Sequence, residues 1–112
     1  MRAEVLRGHL DLLLLAIVQD GPQHGYAIIE ALRERSDGAI DLPDGTVYPA
    51  LHRLESAGLL SSERSHVDGR PRRTYSITSG GKKAVAPKGQ EFSAFARVVQ
   101  NIVGTQPWPI TN

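Results

Sequence analysis

His52 and Arg53 stand side by side on a segment that opens with Thr46 and Tyr48, and Arg70, Arg72 and Arg73 crowd a turn further along. An arginine can bond both acceptors of a guanine edge at once, a histidine can donate to a base or a phosphate, and threonine and tyrosine hydroxyls can bond phosphate oxygens. Arginines at the tip of a hairpin have few structural duties and suit phosphate or a narrow minor groove. Taken singly, His52 and Arg53 read equally well as solvent-facing residues of a surface helix, and Tyr48 as a residue packed at the edge of a core. The combination points to a protein that holds a duplex.

Charge agrees with that chemistry. The formal net charge is only +1, yet the window from Arg64 to Lys88 holds seven basic residues against one acid, Asp68, a local +6 that leaves the remainder at −5. A basic patch on an otherwise acidic chain is the electrostatic footprint of phosphate binding, although a solvated, charged hairpin gives the same count.

Other chemistries are poorly served. Cysteine is absent, which excludes disulfides and thiolate metal sites. His9, His24, His52 and His66 fall on four different segments with no acidic partner at ligand spacing, so no metal and no cofactor is expected. His66 with Asp68 is the one close base and acid, beside a turn with no nucleophile, which argues against an enzyme. The longest apolar run, Leu12 to Val18, is far shorter than the roughly 20 residues that span a bilayer, and Gln19-Asp20-Gly21-Pro22 offers a turn where a signal peptide needs a cleavage site. No membrane association is expected, and a cytoplasmic location follows by default.

The segments that position these residues can be read from periodicity. His9 to Gln19 is apolar on nearly every face, a helix that must be covered on two sides, one of them by a second subunit; Gly21-Pro22 ends it. A second helix runs from about Gly25 to Ser36 and stops at Asp37-Gly38, where glycine suits a left-handed end. The third begins near Thr46 as N-cap, with Pro49 at the third helical position, where its missing N–H costs nothing. On it Val47, Ala50, Leu51 and Leu54 share a core face, and Pro49, His52, Arg53 and Ser56 an opposite, polar one. Two strands follow, about Leu60 to His66 and Arg72 to Thr78, joined at Asp68-Gly69, a strong hairpin signal. A last helical pattern is interrupted at Pro87 and Gly89, predicting a short basic turn, a kink or break, and then a helix from about Gln90 to Val103. The expected fold is mainly α with a small β-hairpin: a winged helix-turn-helix plus a C-terminal dimerisation helix.

In their order and spacing, Leu6-Arg-Gly-His-Leu10, Gly25-Tyr26, Gly45-Thr-Val-Tyr-Pro-Ala-Leu-His-Arg-Leu-Glu55, Gly58-Leu59 and Arg73-Thr-Tyr-Ser-Ile-Thr-Ser-Gly-Gly81 resemble the PadR family of transcriptional regulators, in the short subfamily with one C-terminal helix. The resemblance implies a sequence-specific repressor that binds double-stranded DNA at an inverted-repeat operator and that a small aromatic or drug-like effector releases. It places Tyr26, Thr46, Tyr48, Pro49, His52 and Arg53 in the DNA-reading unit and Arg70, Arg72 and Arg73 in the wing. The domains would be 1–79 for DNA binding, 80–104 for dimerisation, kinked at Pro87, and 105–112 as a tail, in which Trp108 reads as an unstructured or locally packed residue in preference to an effector contact; the effector-binding residues are not marked by the sequence. A homodimer interface is expected at Leu10, Leu13 and Leu14 of the first helix and at Phe92, Phe95, Val99 and Ile102 of the last. After Gly81 the chain departs from the family pattern, since Ala86-Pro-Lys-Gly89 interrupts what is usually one long charged helix. The competing reading is a winged-helix module for protein association, whose working surface would be the apolar first and last helices and which has no need of the +6 window.

Overall fold

The leucine-rich start of the chain folds as two helices, a single turn α1 (Ala3–Leu6) and then α2 (Leu10–Gln19). The computed structural model describes Met1, residues 3–6 and residues 8–104; the tail 105–112, with Trp108, lies outside the described residues. After α2 come β1 (Gln23–His24), α3 (Gly25–Arg35), α4 (Asp44–Ser56), β2 (Leu60–Val67), β3 (Arg70–Ile77) and α5 (Ser79–Val103). The architecture is the one expected, a helix-turn-helix in α3 and α4, a wing in β2 and β3, and a C-terminal helix.

Leu14, Leu15, Ile17 and Val18 make α2 the centre of the core, where they meet Ile28 and Leu32 of α3, Val47, Leu51 and Leu54 of α4, and Leu60 and Tyr75 of the sheet. The two-sided burial that the sequence asks for is met within the chain, because α2 packs on α3, α4 and β3 and also on α5. Leu14 is consequently wholly buried in its own core and is withdrawn from the dimer interface, whereas Leu10 and Leu13 stay half-buried at its margin.

The ends of the helices follow local chemistry. Asp37 itself takes the left-handed conformation after α3 (φ 52°), and the Asp37 and Gly38 amides bond back to the Glu34 and Arg33 carbonyls. Gly58 does the same after α4 (φ 81°), with the Gly58 and Leu59 amides on the carbonyls of Glu55 and Leu54. Helix α4 starts earlier than predicted: Pro43, not Thr46, is its N-cap, with its carbonyl accepting from the Thr46 and Val47 amides. The acid Asp44 then stands in the first turn, where the helix dipole favours it. Pro49 is therefore the sixth helical residue and removes a bond to the Gly45 carbonyl. Gly45 is exposed, so water can replace that bond.

In the wing, Val67 pairs with Arg70 across Asp68 and Gly69, both at positive φ (53° and 75°), as a two-residue type I′ turn requires. Strand β1 adds to the far edge of β3, pairing Gln23 with Tyr75 and His24 with Thr74, so the sheet order is β1-β3-β2. Burial pushes the Tyr75 phenol above its ordinary pKa, with the carboxylate of Glu55 adding to the effect and Arg73 opposing it.

Of the kink or break predicted at Pro87, the break does not occur: α5 is one helix of 25 residues, or roughly 37 Å at 1.5 Å per residue. Thr78 caps it, accepting from the Gly81 amide (3.0 Å) and donating to the Gly58 carbonyl (2.7 Å). Ala84 and Val85 pack on the core before Pro87, and Phe92 meets the His9 ring edge-on after it (5.3 Å), so the segment is held on both sides of the proline. Pro87 and Lys83, whose carbonyl loses its partner, are both exposed, which leaves that carbonyl open to water. The far half of α5 extends beyond the core and gives the molecule its 53 Å long axis.

Candidate nucleic-acid interface

The core face of α4 is Val47, Ala50, Leu51 and Leu54, all buried. At about 100° per residue the opposite crest carries Gly45, Pro49, His52 and Ser56, all exposed. Thr46 and Arg53 fall on one shoulder of that crest, Tyr48 and Glu55 on the other. The structure thus divides the expected reading residues between two flanks, with His52 and Pro49 between them.

The Tyr48 shoulder faces the wing. Arg70, Arg72 and Arg73 close one side of an open cleft whose other side is His24, Gly25, Tyr26 and Tyr48. Gly25 leaves room for the Tyr48 ring in this position, since a Cβ on it would lie 2.2 Å from the ring. Gly25→Ala is accordingly expected to swing the exposed end of the Tyr48 ring outward while changing stability by less than about 1 kcal/mol. Loss of the nuclear Overhauser contacts between the ring and residue 25, at a nearly unchanged melting temperature, would confirm this.

Hydrogen bonds tie the wing to both helices. The Arg73 guanidinium donates to the Ser62 hydroxyl (2.9 Å), which donates in turn to the Glu55 carboxylate (2.7 Å) at the end of α4. Arg72 lies 2.8 Å from His24 Nε2. Arginine can only donate, so Nε2 accepts, and the other ring nitrogen, Nδ1, is buried with no partner among the described residues. Tyr26, exposed on α3, donates to Glu30, which holds the phenol above its ordinary pKa. Arg33 is bound to the same carboxylate (2.6 Å) and, with Tyr26, holds it below the usual range.

The other shoulder faces α2. Thr46, Pro49 and Arg53 border a cleft of about 330 Å³ shared with Leu6, Leu10 and Asp11, and Arg53 donates to the Asp11 carboxylate at 2.5 Å. On α5, Phe92, Phe95, Val99 and Ile102 are exposed, joined by Val98 and Val103. His66 and Asp68 are exposed on the wing, and among the described residues no group of three histidines and acids could hold a metal ion. Among the same residues no helix is long and apolar enough to cross a membrane.

Four participants were not singled out from the sequence: Asp11, His24, Glu55 and Ser62. Asp11 and His24 act through partners 42 and 48 residues away along the chain, while Glu55 and Ser62 meet across the turn between α4 and β2, and no periodicity signals either pairing.

The profile of the transcriptional regulator PadR-like family matches residues 14–87. A transcriptional regulator of Mycobacterium tuberculosis is 38% identical over 96 residues, covering 86% of this chain and 87% of that one. Among solved structures, a transcriptional regulator from Clostridium thermocellum superposes with a TM-score of 0.83 at 28% identity, covering 92% of this chain and 98% of its own. A PadR family transcriptional regulator from Eggerthella lenta gives 0.80 at 31% identity, with 92% and 88% covered.

Proposed function

The chain belongs to the PadR-like family of transcriptional regulators, and from that membership we propose that it is a sequence-specific, homodimeric DNA-binding repressor released by a small-molecule effector. It is a regulator and not an enzyme. The observation that carries the DNA-binding reading is the cleft in which Tyr26 and the Tyr48 shoulder of α4 face the wing arginines Arg70, Arg72 and Arg73. In this reading α4 enters the major groove, His52 and Arg53 contact base edges, and Tyr26, Thr46, Tyr48 and Pro49 border the phosphates. The wing arginines hold the backbone.

Residues 1–79 act as the DNA-binding unit and 80–104 as the dimerisation helix. Support for the dimer comes from Phe92, Phe95, Val99 and Ile102, four large apolar side chains exposed on a helix that projects past its own core. Leu10 and Leu13 complete the surface. Light scattering at micromolar concentration is expected to give twice the mass of one chain; a monomer mass would contradict the dimer. A cytoplasmic location fits a protein that must reach an operator.

The DNA-binding role is tested by electrophoretic mobility shift on the protein's own promoter region. Arg53→Ala should weaken binding to the specific site by about 5-fold to 150-fold, a loss of ~1–3 kcal/mol for one bidentate base contact, and leave unrelated duplexes little affected. An equal loss on both classes of duplex would remove Arg53 from base reading.

A further inference from the structure

Arg53 is the single lysine or arginine of α4, and in the free protein it is not free. Its guanidinium is bonded to Asp11, a residue of the first turn of α2. The helix dipole favours a carboxylate at that position independently of Arg53. Arg53 is the adaptable member, a long side chain 61% exposed against 32% for Asp11. An ion pair this open biases where Arg53 rests and yields to a better-matched partner.

Given the duplex-binding role proposed above, we infer that Asp11 suppresses sequence-independent binding by occupying Arg53 as an internal stand-in for a DNA phosphate. A duplex that offers only phosphates gains little by replacing one anion with another, and it brings its own charge against the Asp11 carboxylate. A site that presents a guanine edge gives Arg53 a planar, two-bonded partner and draws it away from Asp11. Asp11 is thus a specificity-determining residue that need not touch DNA. The cleft bordered by Leu10, Thr46, Pro49 and Arg53 gives the guanidinium room to move.

The test is fluorescence anisotropy on a mixed-sequence duplex across a salt series, with the unmodified protein, Asp11→Asn, Arg53→Ala and the double variant. Asp11→Asn should tighten binding by about 3-fold to 10-fold and steepen the logarithmic salt slope by about 0.9 per chain, one further phosphate neutralised. In the Arg53→Ala background the same change should give a smaller gain and no steeper slope. Unchanged or weaker binding by Asp11→Asn would overturn the inference, and so would an equal gain in both backgrounds, since Asp11 would then act as a bare charge. If the unmodified protein binds the duplex and Asp11→Asn does not differ from it, the inference alone fails. If the unmodified protein shows no salt-dependent binding at all, the DNA-binding reading fails with it.

Discussion

Replacing Arg70, Arg72 and Arg73 together by alanine is expected to lower affinity for every duplex, specific or not, by about 100-fold to 1,000-fold near physiological salt, or ~3–4 kcal/mol. All three are exposed on the wing and border the cleft beside Tyr48; Arg72 is bonded to His24, and Arg73 through Ser62 to Glu55. Every phosphate that the wing no longer neutralises should flatten the logarithmic salt slope by about 0.9, and in a dimer the effect doubles. Arg70→Ala should cost more than Arg73→Ala, because Arg73 already spends one donor on Ser62. Anisotropy titrations over a salt series decide the point, and an unchanged slope in the triple variant would remove the wing from backbone binding.

Gly81→Ala is expected to be the most damaging small substitution in the chain. A Cβ at Gly81 would lie 2.1 Å from the Leu59 carbonyl oxygen and 2.6 Å from Ile77 Cγ1, and the first of these is backbone already engaged by the Thr78 amide. Relief requires moving the start of α5 away from the sheet, which would break the Thr78 cap and unseat Ala84 and Val85. A cost of about 3 kcal/mol or more follows, lowering the melting temperature by more than about 10 °C at fixed protein concentration. Gly80→Ala is the control: its Cβ would meet the Gly58 carbonyl oxygen at 3.5 Å, an ordinary contact, and alanine is the better helix former. Equal melting temperatures for the two variants would contradict this account of the junction.

Where local rules sufficed, the sequence could be read. The core face of α4 and the Asp68-Gly69 turn follow from helical spacing and from tolerance of positive φ, and both are found as read. Where a tertiary partner decides, local reading failed. Pro87 looks like a break until Ala84 and Val85 on one side and Phe92 on the other are seen to be held. Leu14 looks like half of an interface until α5 of the same chain is seen to cover α2. A strand as short as Gln23–His24 has no alternation to detect and exists only because β3 offers an edge.

The candidate site was legible in the same proportion. Residue types and the local charge marked Tyr48, His52, Arg53 and the wing arginines as a set. Their division between two shoulders of α4, one tied to the wing through Glu55 and Ser62 and the other to α2 through Asp11, depends on contacts no spacing rule encodes.

The central claim is that the paired α4 helices of a dimer read a duplex in sequence. Selecting bound fragments from a random duplex pool with the unmodified protein, and sequencing them, tests it most directly. An enriched inverted repeat is expected, with half-sites about one helical turn apart, roughly 10 base pairs, or a multiple of it. A pool that stays random through successive rounds, although the protein retains DNA at low salt, would contradict it.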